Sequence, residues 1–363
     1  MKSFDLQEYI THGAEAVVAD AVRAAGRNPK EAAYLAKFAL SAAKASALRR
    51  KEEREGLHVP TFLIASITSA CNLHCAGCYS RSNHATEDGE PVRQLSAADW
   101  GRVFGEAAGL GISFILLAGG EPLLRRSVIR EAAARPEILF PVFTNGTYID
   151  EEYLALFDAS RNLLPVVSLE GGEEETDARR GEGVHRQLME NLTAFADRGL
   201  VFGASVTVTK ENLGAVTGEA FAASLAELGC RALFWIEYVP VTEGSESLAP
   251  DEGERDILVA AAERLRETHP EMLFLRFPGD EKVSDGCLAA GRGFFHINSH
   301  GGAEPCPFSP YSDTNVKDKP LRDVLASPLF AGIREGGLLR EEHAGGCTLF
   351  VRREEVEVLT AGK

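Results

Sequence analysis

Residues 61–79 read Thr61-Phe-Leu-Ile-Ala-Ser-Ile-Thr68-Ser-Ala-Cys71-Asn-Leu-His-Cys75-Ala-Gly-Cys78-Tyr79: a short apolar strand running directly into a loop with three cysteines. Thiolates are soft ligands that select zinc or iron–sulfur sites, and three of them on one loop suit three corners of a cubic cluster. A structural zinc site is closed by four ligands, and no fourth stands nearby. A catalytic cluster held by three thiolates keeps one iron open. Taken alone, the loop leaves a zinc protein, an electron-transfer protein and a cluster enzyme as alternatives.

Outward from this loop the chain alternates short apolar runs with amphipathic ones. Strands are expected at Phe62–Thr68, Phe114–Ala118, Leu139–Thr144, Leu163–Leu169, Phe202–Thr209 and Leu233–Val239, and helices near Ala97–Leu110, Ser127–Ala134, Glu151–Phe157, His185–Asp197, Thr217–Leu228 and Glu254–Glu267. Ser96 is placed to cap the first of these helices and Gly199 to stop the fourth. Six βα units in succession predict an α/β fold, a partial (β/α)6 TIM-like barrel over residues 59–270 with its chemistry at the strands' C-terminal ends. Residues 1–58 read as a helical extension. There Ala32, Leu35, Phe38, Ala39, Ala42 and Ala43 form one apolar stripe, and Lys37, Lys44, Arg49, Arg50 and Lys51 offer a membrane-surface contact. Beyond residue 270 the alternation is expected to stop. Residues 271–363 read as a small appended α+β module with a hairpin over Phe294–Asn298 and the return toward Cys306, then a helix near Leu321–Leu325.

The spacing Cys71-x3-Cys75-x2-Cys78 after the first strand resembles that of the radical S-adenosylmethionine (SAM) enzymes, and the resemblance covers residues 61–240. It implies a [4Fe–4S] cluster whose open iron binds SAM, reductive cleavage of SAM to a 5′-deoxyadenosyl radical, and an electron donor such as flavodoxin or ferredoxin. Many family members carry an aromatic residue just before the last cysteine. Gly77 stands there in this chain, leaving Tyr79 as the loop's aromatic candidate for a cofactor contact. Gly119-Gly120-Glu121-Pro122 follows the second strand where the family has its GGEP motif for the SAM amino group. Two glycines allow close backbone approach and Glu121 offers an acceptor to an ammonium. Without the family it is an ordinary strand-to-helix turn. The resemblance also assigns SAM contacts to Asn145 after the third strand and to Ser168 and Glu170 at the end of the fourth. Asp177-Ala-Arg-Arg180-Gly181-Glu-Gly183 looks like a segment of peptide-modifying relatives, with Arg180 a bidentate donor to the SAM carboxylate or a partner of the acidic run Glu173–Glu175. Glu237 interrupts the sixth strand and is the candidate general acid or base, with a salt bridge as its plainer reading.

Seven cysteines in a chain of 363 residues argue for thiols or metal ligands over disulfides. Cys230 fits the core. Cys287, with thirteen residues to Gly301 and four more to Cys306, resembles the start of the SPASM and twitch extensions, and with Cys347 it implies a second iron–sulfur cluster. That cluster is one ligand short, to be completed by His343, His296 or another group, or left open to substrate. Against 38 basic residues stand 54 acidic ones, a net charge of −16, which argues against nucleic acid as a partner; residues 1–60 alone carry +2. Without a signal peptide or an apolar run of about 18–20 residues, the chain is expected to be cytoplasmic, at most peripheral at a membrane. For the substrate, helices without winged-helix strands before residue 58 point to a small molecule or lipid, while the SPASM-like pieces point to a peptide.

Overall fold

The computed structural model describes residues 29–88, 93–277, 286–340 and 347–361. Its strands are β1 (Phe62–Ser66), β2 (Phe114–Ala118), β3 (Phe140–Thr144), β4 (Leu163–Leu169), β5 (Gly203–Val208), β6 (Ala232–Glu237), β7 (Leu273–Phe277), β8 (Phe294–Ile297) and β9 (Ala303–Glu304). They form one nine-stranded sheet in the order β7-β6-β5-β4-β3-β2-β1-β8-β9, parallel except where β9 returns antiparallel to β8. This is a partial TIM-like barrel, as the βα alternation predicts.

The helices are α1 (Pro29–Arg54), α2 (Tyr79–Ser82), α3 (Ala97–Leu110), α4 (Arg126–Ala133), α5 (Glu151–Ala159), α6 (Glu173–Arg180), α7 (Val184–Asp197), α8 (Leu213–Val216), α9 (Glu219–Glu227), α10 (Glu252–Thr268), α11 (Leu321–Leu325), α12 (Pro328–Glu335), α13 (Thr348–Val351) and α14 (Arg353–Ala361). Their starts follow local chemistry. Ser96 and Asp99 form a capping box on α3, Asp150 caps α5 through the Tyr153 N–H, and Asp251 with Glu254 closes α10. Gly199, at φ +61°, lies just beyond α7.

Two features depart from the sequence expectation. β7 continues the parallel sheet past residue 270, and β8 lies parallel to β1, so the sheet of the barrel runs on into the C-terminal residues. Parallel pairing between strands more than two hundred residues apart leaves no local signal. The second departure concerns α1. Leu35 and Phe38 are buried as the stripe predicts, but Ala32 and Ala43 are exposed. Phe38 meets Phe114 edge-on at 5.5 Å, and Arg49, one of the basic residues offered for a membrane, is buried and donates to the Gly111 carbonyl. The helix therefore closes the N-terminal end of the barrel, where Tyr34, Leu35, Phe62, Phe114, Leu164 and Phe234 line an apolar cavity of about 160 Å³. The part of the expected helical extension before residue 29 lies outside the described residues. No helix among those described is long and apolar enough to cross a membrane.

Strand alternation then sorts the side chains. Phe62 and Phe234 line the cavity, so Ile64 and Ser66 on β1 and Ile236 on β6 share the lumen face, while Trp235 and Glu237 face the surrounding helices.

Candidate active site at the barrel mouth

The cysteine loop leaves β1 at the C-terminal end of the sheet and is fixed there from three sides. From β2, the Gly120 N–H donates to the Thr68 carbonyl and the Glu121 N–H to the Ala70 carbonyl, both at 2.8 Å. A Cβ on Gly119 would sit 2.3 Å from the Thr68 oxygen and one on Gly120 2.0 Å from the Ala70 oxygen, and Gly119 holds φ +130°. The two glycines thus let β2's end press against the cysteine loop; in this structure the backbone they approach is protein rather than ligand. From α6, the Ala76 N–H donates to the Arg179 carbonyl at 2.9 Å and Arg179 Nε returns a bond to the Ala76 carbonyl at 3.1 Å. From α2, Arg81 donates through Nε and Nη2 to the Leu73 carbonyl and through Nη2 to that of Cys71. Arg81 and Arg179 went unnoticed in the sequence, since an arginine that donates to loop carbonyls carries no motif of its own.

The three thiols stand within electrostatic reach of one another. Burial pushes the Cys71 and Cys75 thiols above the usual range, and the Arg180 and Arg179 cations pull Cys75 back down. No three His, Cys, Asp or Glu side chains among the described residues are gathered tightly enough to hold a single metal ion. Three thiolates on one loop suit three corners of a cubic cluster, whereas a structural zinc site takes four ligands.

Around the loop lie most of the other candidates. Glu121 is fully buried. Its Oε1 accepts from the Leu123 N–H at 2.9 Å and Thr144 Oγ1 at 2.7 Å, and its Oε2 from the Asn145 N–H at 2.7 Å. Burial pushes its carboxyl up to about 7. The carboxylate thereby ties β2's end to β3's, and Pro122 begins the short 3-10 turn behind it. Asn145 donates through Nδ2 to Asn72 Oδ1 at 2.9 Å and lies 3.9 Å from Cys71 Sγ.

Glu170 is the second buried carboxylate. Its Oε1 accepts from Arg179 Nη1 at 2.5 Å and from Arg180 Nε and Nη2 at 2.9 and 2.5 Å, and its Oε2 from the Thr207 N–H at 3.1 Å. Arg180 is therefore partnered by Glu170 and not by the acidic run Glu173–Glu175, and its cation is held beside Cys75 and Cys78. Ser168 is half-buried and bonds Ser205 at 3.2 Å. Glu237 requires correction as a candidate acid or base. It lies on the helix side of β6, 3% exposed, and Arg255 of α10 donates to it at 2.9 Å, so the interruption of that strand is a structural ion pair.

Tyr79 lies between the two cysteine sets. Burial raises its phenol, and the groups next in influence are Cys78, Cys306 and Glu304; its ring packs on Phe308 at 4.8 Å. Tyr238, just past β6, fills the space where residue 77 lacks a side chain: a Cβ on Gly77 would sit 2.8 Å from the Tyr238 ring edge and hydroxyl. That hydroxyl is buried with no hydrogen-bond partner among the described residues, leaving a donor beside the cysteine loop for a bound group. The donor set of three thiols, two buried arginine–carboxylate contacts and an orphaned phenol fits a cluster with a polar, charged cofactor.

The tail cysteines also converge. Burial and then the neighbouring Cys347 and Cys287 thiols push Cys306 far above its ordinary value, with Cys306 and Cys347 in hydrogen-bond contact. His296, one of the side chains offered as the missing ligand, has both ring nitrogens engaged elsewhere, on Ser66 and Glu304. His343 lies outside the described residues. Cys230 is buried in the core and donates to the Ala232 carbonyl.

Comparison with known proteins agrees with this geometry. Residues 65–216 match the model of the radical SAM superfamily. The chain is 30% identical over 322 residues to the mycofactocin maturase MftC of Mycobacterium ulcerans, covering 80% of both proteins. It is 27% identical to the AdoMet-dependent heme synthase of Methanosarcina barkeri, over 80% of this chain and 88% of that one. Among solved structures, Streptococcus suis SuiB bound to S-adenosylmethionine superposes with a TM-score of 0.65 at 19% identity, over 80% of this chain and 71% of SuiB, and the fold also matches SuiB bound to its precursor peptide SuiA. On the three-cysteine loop, the barrel that carries it and these matches together, the chain belongs to the radical SAM superfamily, enzymes that use a [4Fe–4S] cluster and SAM.

Proposed function

We propose that this enzyme is a maturase that oxidises a peptide, with Cys71, Cys75 and Cys78 holding the SAM-binding cluster and Cys287, Cys306 and Cys347 holding a second. When bound, the first cluster supplies the electron that cleaves SAM and starts hydrogen abstraction from substrate. The chain's own residues do the positioning. Glu121 and Asn145 register the ends of β2 and β3 against the cysteine loop, and Glu170 aims the Arg180 cation at the Cys75 side of it. Tyr238 offers its hydroxyl from the end of β6, beside Gly77 of the cysteine loop.

The observation that carries the peptide reading is the 30% identity to a maturase across four-fifths of both chains. SuiB, which shares the fold, is solved with a precursor peptide bound. The lipid expected from the N-terminal helices draws no comparable support, since Leu35, Phe38 and Arg49 of α1 are buried. A small-molecule substrate is the second reading, favoured by the match to the heme synthase.

One experiment separates the two. The reconstituted enzyme is given SAM, dithionite and a low-molecular-mass fraction of extract from the source cells, and 5′-deoxyadenosine is measured. The fraction is expected to stimulate its formation, and prior digestion of the fraction with a broad-specificity protease is expected to abolish that stimulation. Stimulation that survives digestion establishes a small-molecule substrate instead.

A further inference from the structure

Three side chains of the barrel wall stand in a line that the site above does not use. Ser66 ends β1, His296 lies on β8 and Glu304 on β9, where it faces His296 directly across the antiparallel pair. His296 Nε2 is 2.8 Å from Ser66 Oγ and Nδ1 is 2.7 Å from Glu304 Oε2. Asn298 Nδ2 donates to the other Glu304 oxygen at 2.5 Å. The histidine and glutamate side chains are 4% and 7% exposed. Ser66 is only half-buried and shares the lumen face with Phe62.

Each bond has a chemical consequence. A buried carboxylate beside Nδ1 holds the proton on that nitrogen and leaves Nε2 as the acceptor, here turned to a serine hydroxyl. Base, orienting acid and hydroxyl take the mutual roles of a serine–histidine–acid triad, recognised by geometry and not by chain order. The acid end lies near Tyr79 and so toward the tail cysteines, and the hydroxyl end opens on the lumen.

We propose that Ser66, His296 and Glu304 form a proton relay that receives the proton a substrate radical releases as it is oxidised. The inference rests on the radical reading of the site. Hydrogen abstraction passes one hydrogen atom from substrate to the 5′-deoxyadenosyl radical, giving 5′-deoxyadenosine and a substrate radical. Completing a two-electron oxidation then removes one electron, accepted by an iron–sulfur centre, and one proton from the atom next to the radical carbon. The bond to that hydrogen breaks, and its electron pair becomes the new π bond of the product. The proton passes to Ser66 Oγ as the Ser66 proton moves to His296 Nε2, and Glu304 holds the resulting imidazolium.

The test uses the full reconstituted enzyme with the extract fraction as probe, comparing wild type with S66A, H296Q and E304Q. Chromatography follows 5′-deoxyadenosine and electron paramagnetic resonance follows organic radical. General acid–base steps contribute about 10²–10⁴-fold, so steady-state turnover in H296Q is expected to fall by about 10²-fold or more. With the proton outlet closed, the organic radical per 5′-deoxyadenosine formed should rise in all three variants. S66A, which removes one hydroxyl from a half-buried position, keeps the test open if either buried variant fails to fold. Wild-type turnover without radical accumulation in S66A and in a folded H296Q overturns the relay alone. A wild type that forms no 5′-deoxyadenosine from SAM and dithionite, with or without the fraction, overturns the radical reading, and the relay with it.

Discussion

Replacing Glu170 by alanine is expected to cost the apoprotein about 3–5 kcal/mol of folding stability, the range seen when one partner of a buried ion pair is removed. Glu170 is 1% exposed and answers two guanidinium groups, those of Arg179 and Arg180, whose side chains are 17% and 11% exposed. Without it two cations remain largely shielded from water, and the Thr207 N–H loses its acceptor. The damage reaches the cysteine loop because Arg179 also exchanges two hydrogen bonds with Ala76, the residue directly after Cys75. Urea unfolding of the apoprotein measures the first effect, and iron retained after reconstitution and desalting measures the second. A midpoint and iron content equal to wild type would show that Glu170 does not organise the loop.

Replacing Cys306 by alanine is expected to halve the bound iron. Two cubic clusters give about eight irons per chain, and the variant should retain about four. Cys306 is the informative choice because it is in contact with Cys347 and within electrostatic reach of Cys287 and Tyr79. The SAM-binding set is untouched, so the remaining iron should still support SAM cleavage in the presence of reductant. About four irons in the wild type would rule out the second cluster.

Much of this architecture was legible in the residues. The strands from β1 to β6 and the capped helices between them follow from local periodicity and from side chains such as Ser96 and Asp150 that satisfy the first free N–H groups. What stayed hidden depends on contacts between distant segments. Nothing near Phe294 announces that it will pair with Phe62. The side of β6 that faces the lumen was equally hidden, because a strand buried on both faces is apolar throughout; hence Glu237 read as a mouth residue when it belongs with Trp235 on the helix side. The same holds for function. The cysteine spacing and the GGEP turn point to the cofactor chemistry from sequence, but the reason for the two glycines, their contact with Thr68 and Ala70, exists only once β1 and β2 lie side by side. Tyr238 is the converse case. It carries no motif, and only the folded chain places its ring at Gly77.

The central claim is that the loop carrying Cys71, Cys75 and Cys78 supports reductive cleavage of SAM. Its most direct test is 5′-deoxyadenosine formation by the anaerobically reconstituted chain with SAM and dithionite, set against the Cys75→Ala variant. The wild type is predicted to form 5′-deoxyadenosine and the variant to form none above the protein-free control. A wild-type sample with full iron content that forms no more 5′-deoxyadenosine than the variant would contradict it.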